Sequence, residues 1–245
     1  MDEAAYRQYE IESENWLKAG RRGLLVSLLT KATGGRTDLE VLDLGAGVGQ
    51  NVTALRGFGR VDVLEINEIG LKALRTMQGI REVFDQPIPF QLDRKYDVIV
   101  ATDVLEHIPD DRGAAEWVAD HLKPGGVFFS TVPAYQFLFG EHDVALHHFR
   151  RYTASNYAAI MVPGLTVERR GYFNSILFPL AAAARLGSRL FADKKTGSES
   201  RKQSSVVPGP IDAIFAALLK VEIRMIEKGI GLPFGLSVYC VARRQ

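Results

Sequence analysis

The chain has 245 residues, of which 47% are hydrophobic and 24% charged, and its formal net charge is +1. That composition belongs to an ordinary globular protein with enough apolar material for a proper core. A charge so close to zero gives no general attraction for polyanions, so nucleic acid is not expected as a partner. The lone cysteine, Cys240, cannot close an internal disulfide and sits in the apolar run "LSVYCVA", where it reads as a small buried hydrophobe.

The acidic start, "MDEAAYRQYEIESENW", lacks an apolar h-region, so no secretory signal is expected. From Tyr6 to Thr30 the spacing predicts a helix, with Trp16, Leu17, Leu24, Leu25, Leu28 and Leu29 forming an apolar stripe. From Leu39 to about Thr131, short β-branched runs alternate with helical patterns. The expected strands are 39–44, 60–66, 81–84, 96–102 and 126–132, with helices near 48–56, 68–77 and 111–122. Near-continuous apolar strands interleaved with helices predict a parallel sheet covered on both faces, a doubly wound α/β domain. Thr153 is the expected cap of a helix over 154–161, and further strands are expected at 165–173 and 235–244.

Between those last two strands lie an apolar helix, "NSILFPLAAAARLGSRLF", a polar Ser/Lys-rich loop, and an amphipathic helix, "IDAIFAALLKVEIRMIEKGIG". The apolar stretch from Phe173 to Leu186 contains Asn174, Ser175 and Pro179 and falls short of the ~20 residues that span a bilayer, so a cytoplasmic location is expected. The chain then divides as one domain, 1–245, with an N-terminal helical cap (1–35), a core sheet (36–173 and 234–245) and a helical insertion (174–233). The insertion's apolar faces suit mutual packing or a homodimer contact. They also suit a greasy acceptor cap or a peripheral contact with the inner face of a membrane, aided by the basic "DKKTGSESRK".

"VLDLGAGVGQ" (41–50) is a buried strand breaking into alternating glycines. A dinucleotide turn needs G-x-G-x-x-G, but Gln50 occupies the third glycine position and Gly49 lies one residue early; a triphosphate loop needs a Gly-Lys pair that is missing. Asp43 precedes the glycines, and Glu65 stands near the end of the second strand, where an acid accepts hydrogen bonds from ribose hydroxyls. Two acids around a glycine turn suit a cationic ligand with a free ribose and no phosphate, a description that S-adenosylmethionine meets.

With these motifs in order, residues 39–133 resemble the class I S-adenosylmethionine-dependent methyltransferases. "VLDLGAGVG" is similar to their first motif, "VDVLEIN" to the second, "FDQPIPF" to the third-strand region, "YDVIVATDVLEHIPD" to the fourth motif and "HLKPGGVFFSTVP" to the strand after it. The resemblance implies a Rossmann-like seven-stranded sheet with its last strand antiparallel. It also implies a cofactor site made of Asp43, Gly45, Ala46, Gly47, Gly49, Glu65, Ile66, Asp85, Thr102, Asp103 and His107. The N-terminal helix adds Arg21 or Arg22, of which Arg22 is preferred. S-adenosylhomocysteine would be the product.

"GEHDVALHHFRRYT" follows the fifth strand and is expected to form an acceptor-facing lid. Asp143, His148, Arg150, Arg151 and Tyr152 resemble the Asp…His-x-Arg-Arg-Tyr pattern of one methyltransferase subgroup, often tied to polysaccharide or lipid-linked sugars. His148 is the first choice for a catalytic base, His142 the second, with Asp143 beside them. Arg150, Arg151, Tyr152 and Tyr135 are the expected acceptor-binding residues. The lid offers no convincing set of carboxylate ligands, so no metal is expected. The reaction implied is methyl transfer to an oxygen or nitrogen of a small-molecule, sugar or lipid-linked (glycolipid) acceptor. The competing readings are a Rossmann-type nicotinamide oxidoreductase and a non-catalytic protein that only binds the cofactor.

Overall fold

The computed structural model describes residues 15–180, 182–183 and 209–245. In chain order its main elements are α1 (Trp16–Thr33), β1 (Leu39–Leu44), α2 (Val52–Leu55), β2 (Gly59–Leu64), α3 (Glu68–Thr76), β3 (Ile80–Phe84) and β4 (Tyr96–Thr102). Then follow α4 (Asp111–His121), β5 (Leu122–Pro133), α5 (Glu141–Ala145), α6 (Ala154–Ala159), β6 (Leu165–Phe173), α7 (Gly209–Glu227) and β7 (Ser237–Arg244). The 7-stranded sheet has the order β3-β2-β1-β4-β5-β7-β6. β1 to β5 pair in parallel, while β7 runs antiparallel to both β5 and β6. This is the Rossmann-like methyltransferase sheet expected from the sequence.

Alternation along the strands explains the layers. Val41, Val63, Val98, Val100 and Val127 face one core, packed with α1 and α2. Leu42, Leu44, Leu64, Ile99 and Phe128 face the other, packed with α4 and Tyr157 of α6. Strand order reverses at β1, which has β2 on one side and β4 on the other. The crevice beyond the carboxyl ends of β1 and β4 is therefore the place where such sheets take ligands.

α1 begins where the Asn15 side chain accepts from Leu17 N (3.1 Å) and Lys18 N (3.0 Å), and ends at Gly34 with φ 64°. The residues expected to be helical before Asn15 lie outside the described residues. α2 is much shorter than the 48–56 expected, because Gly49 (φ 86°) keeps the chain in a turn first.

The insertion's second helix packs on α1. Gly20 and Gly23 let it approach: a Cβ on Gly20 would lie 2.3 Å from Leu219 Cδ1, and one on Gly23 3.1 Å from Ile223 Cδ1. Trp16 meets Phe215 edge-on at 5.1 Å, Trp16 N donates to Asp212 Oδ1 (3.2 Å), and Ser27 Oγ donates to Glu227 Oε1 (2.7 Å). The apolar stripe expected on this helix divides: Phe215, Leu219 and Ile223 face α1, whereas Ile211 and Ile214 are exposed. The basic loop 192–207 lies outside the described residues. Among the described residues no helix is long and apolar enough to cross a membrane.

Replacing Gly20 by leucine should force α7 off α1 and lower stability by about 2 kcal/mol, the usual scale of overpacking. Gly231→Ala, with nothing within 4 Å of the added carbon, should change it little. Urea unfolding midpoints check both.

Candidate active site

The glycine turn leaves β1 with Gly45, Gly47 and Gly49 at φ 70°, 58° and 86°. At Gly45 a side chain is doubly excluded, because a Cβ would also lie 2.5 Å from Val104 Cγ2 in the segment after β4. Gly45 N and Ala46 N both donate to Leu64 O, at 2.8 and 3.0 Å, so the turn is tied to the end of β2. Glu65 completes the tie. Its Oε2 accepts from Gly47 N (2.7 Å), and its Oε1 accepts from Ile66 N and Asn67 N (both 2.8 Å). Three backbone donors thus fix this carboxylate at the crevice mouth, beside an Ile66 side chain that is 60% exposed.

Asp43 behaves differently from the expectation of ligand contact. It is fully covered beneath the turn, and neither carboxylate oxygen has a hydrogen-bond partner. Burial pushes its pKa up to about 7, with the charge of Glu65 adding to the rise and the nearby Asn51 amide opposing it. Asn51 itself donates to Thr102 Oγ1 at 3.0 Å, linking the turn to the end of β4.

Asp103 follows β4 with φ 55° and accepts from Thr131 Oγ1 (3.2 Å). It pairs with Arg21 Nη1 at 2.6 Å, so Arg21 is the arginine that α1 extends to the β4 exit. The preferred Arg22 instead donates to Gln50 O (3.4 Å), at the far side of the glycine turn. Asp85 is exposed just after β3 and pairs with Arg75 at 3.0 Å.

The lid is a closed loop. Tyr135 N donates to Tyr152 O (2.7 Å) and Tyr152 N donates to Pro133 O (3.0 Å), which clamps its two ends. Inside it, Asp143 is fully buried and accepts from Gly140 N (2.9 Å), His148 Nδ1 (2.9 Å) and Arg151 Nε (2.7 Å). Burial works to raise its pKa, but the hydrogen bonds from His148 and Arg151 outweigh it and hold the carboxyl below the usual range. His148 meets His107 edge-on at 4.5 Å. Burial, with His148 as a further cause, lowers His107 to about 4, so this ring is neutral at neutral pH. His107 was expected at the cofactor; the fold puts its ring against the lid.

Other lid residues have bracing partners. Arg150 donates to Pro109 O (2.7 Å) and pairs with Asp111 (2.8 Å), which also accepts from Tyr152 Oη (2.7 Å). Arg151 reaches Ala134 O (3.3 Å) as well as Asp143. An acceptor-binding role for these three does not follow from this geometry, because their polar ends join the lid to α4 and β5. His142 is exposed on α5. Tyr135 (φ 62°) stacks on Tyr172 (5.2 Å, 15°) and contacts Phe137 and Phe178, forming an aromatic wall.

Glu106 was not anticipated. It sits in the 3-10 turn Leu105–His107, fully buried, with neither oxygen hydrogen-bonded. Burial raises its pKa well above the ordinary value, and Asp103 adds to the rise. In the sequence it is one acid in "DVLEHI", with nothing to show that it is buried. Glu106, His107 and His148 bring one ligand atom each to within 4.8 Å of one another. The expectation of no metal counted carboxylates in the lid alone, whereas the fold supplies one from beyond β4.

A family described as "Methyltransferase domain" matches residues 17–169, which contain the turn, Glu65, Asp103 and the lid. The chain belongs to this methyltransferase family. Ubiquinone biosynthesis O-methyltransferases from Leptothrix cholodnii and Salmonella newport are each 28% identical to it, over 143 and 144 residues. Those matches cover 54% of this chain, and the chain spans only about 60% of the length of these relatives (60% and 58%). Among solved structures, the plantazolicin methyltransferase in complex with SAH superposes with a TM-score of 0.59 at 11% identity, covering 99% of this chain and 88% of that one. Coclaurine N-methyltransferase, bound to N-methylheliamine and SAH, gives 0.55 at 13% identity, covering 90% and 72%. At these identities the structural likeness establishes the methyltransferase fold.

The raised pKa of Asp43 makes a prediction about the ligand-free methyltransferase. Unfolded, Asp43 ionises near 3.8; folded, it stays protonated to about 7. Its contribution to stability is thus complete at low pH and is lost as pH rises through the folded pKa. Asp43→Asn should therefore gain on the wild type by about 4 kcal/mol between about pH 4 and pH 7, then level off. Melting curves across that range measure the gap, and parallel curves would refute the assignment.

Proposed function

We propose that the protein transfers a methyl group from S-adenosylmethionine to an oxygen of a small acceptor. The observation that carries this reading is the Asp143–His148 pair, which the lid sets against His107 in the segment after β4. His148 gives its Nδ1 hydrogen to a buried anion, which leaves Nε2 as a lone-pair nitrogen suited to accept a proton. Nitrogen nucleophiles that are already neutral have less need of such a base. The names of the O-methyltransferase relatives point the same way.

The residues present fit the cofactor. The turn after β1 opens its backbone to a ligand, and Glu65 holds a fixed carboxylate for the ribose hydroxyls, with the exposed Ile66 beside it for the adenine. A bound cation would draw the buried Asp43 beneath the turn toward its ionised form, which burial alone disfavours. Arg21, held by Asp103 at the β4 exit, would be the arginine that meets the methionine carboxylate. When bound, the cofactor supplies a methyl group already activated by a positive sulfur.

The protein's own work is then alignment and proton removal. The crevice and lid hold the acceptor oxygen in line with the methyl group, and His148 Nε2 takes its proton while Asp143 stabilises the imidazolium that forms. Asp143 is a positioning residue here, since it touches His148 rather than the acceptor. The aromatic wall of Tyr135, Tyr172 and Phe178 favours an acceptor with a flat ring or an apolar tail over a bare sugar.

Calorimetry should show that the purified protein binds S-adenosylmethionine and its demethylated product, and that Glu65→Ala weakens this at least about tenfold. No heat from the folded wild type would sink the reading. Once a metabolite that gains one methyl mass is found by mass spectrometry, His148→Ala should lower its turnover by about 10²-fold or more, with cofactor affinity retained. Undiminished turnover would remove His148 from the chemistry.

A further inference from the structure

Glu106, like Asp43, is an anomalous side chain in the described structure. It is a fully buried carboxylate, and neither oxygen finds a donor. The two arginines whose charge reaches it bond other acids: Arg21 pairs with Asp103 and Arg151 with Asp143. Ionisation of an acid so placed is strongly penalised unless a cation meets it.

Its neighbours are prepared as ligands. His148 carries an outer hydrogen bond of the kind that orients metal-bound imidazoles, from Nδ1 to Asp143 Oδ1 (2.9 Å). That ring thus keeps Nε2 for a further partner. The two rings meet edge to face at 4.5 Å, and ligand atoms of Glu106, His107 and His148 all lie within 4.8 Å of one another. Small side-chain rotations bring such a set to the spacing of a coordination shell.

We propose that Glu106, His107 and His148 bind a divalent transition-metal ion, zinc or manganese in class, with at least one coordination position left for the acceptor oxygen. Two imidazoles and one carboxylate form the donor set of catalytic rather than closed structural sites. An acceptor hydroxyl bound to the ion loses its proton to solvent, because the ion stabilises the oxyanion. That oxygen then attacks with a lone pair; the new O–C bond forms as the S–C bond breaks, its electron pair staying on sulfur to leave a neutral thioether. In this form His148 is a ligand and the ion replaces it as the agent of deprotonation. This last step rests on the methyl-transfer reading; ion binding does not.

The test is calorimetric titration of the chelator-treated full chain with zinc chloride and with manganese chloride, with no cofactor present. One equivalent of at least one ion should bind with micromolar or better affinity. Glu106→Gln and His107→Ala should each weaken this at least about tenfold, and Asp143→Asn by about 10- to 100-fold through the loosened His148. His142→Ala should leave it within twofold. Failure of the wild type to bind either ion, retained affinity in Glu106→Gln, or loss in His142→Ala overturns the proposal. Glu106→Gln keeps the size of the buried side chain and should melt close to the metal-free wild type. Should it not fold, cobalt(II) added to the wild type decides: intense visible bands of a four- or five-coordinate ion support the site, and a weak aqua-like spectrum overturns it. Missing metal heat with intact S-adenosylmethionine binding would return deprotonation to His148 and leave the proposed function standing. Missing cofactor heat with intact metal binding would do the reverse.

Discussion

The buried carboxylate of Asp143 determines the shape of the lid. Closed off from water, it requires charge-assisted donors on both oxygens, and it takes them from Gly140 N, His148 and Arg151 within its own segment. Those bonds fold the loop back on itself, while the paired backbones of Pro133, Tyr135 and Tyr152 close its neck. The position and tautomer of His148 follow from this constraint. So does the use of Arg151, whose guanidinium is spent on the acid that the histidine needs.

The other two buried acids are in the opposite condition. Asp43 and Glu106 have no hydrogen-bond partner, and each lies under a segment at the carboxyl edge of the sheet, after β1 and after β4. Native interiors seldom tolerate such groups, and when they do the tolerance is concentrated where the protein binds something. Burial raises the pKa of both acids and so favours their neutral forms in the ligand-free protein, whereas a cation bound beside either would favour the ionised form.

The α1–α7 contact supplies the outer wall. α1 is placed by its own apolar stripe against the sheet, and Gly20 and Gly23 open a seat on its other side for Leu219 and Ile223 of α7. A helix inserted late in the chain thereby braces the first one, whose Arg21 meets Asp103 at the exit of β4. Ile211 and Ile214 are left facing solvent on α7. The insertion is therefore part of the architecture of the site and also presents an apolar surface of its own.

The sequence was most legible where a pattern is local. Short β-branched, near-continuous apolar runs located all the strands within a few residues, although β5 begins four residues earlier than its apolar run suggested, at Leu122. The glycines and Glu65 could be read because a positive φ and an acid at a strand end leave a signature in adjacent letters. Residues whose role depends on burial or on a distant partner could not be read. Arg21 and Arg22 are adjacent in sequence, yet only the packing of α1 decides which one meets Asp103. Arg150 and Tyr152 looked available for an acceptor until Asp111 was found between them. Glu106 was one acid among many until the fold covered it and brought His148 alongside. The sequence by itself thus determined the sheet, the glycine turn and the acid that follows β2, because strand patterning and backbone conformation are local properties. Which charges are buried, and which of them lack a partner, only the tertiary structure decided, because solvent exclusion is a property of the assembled layers.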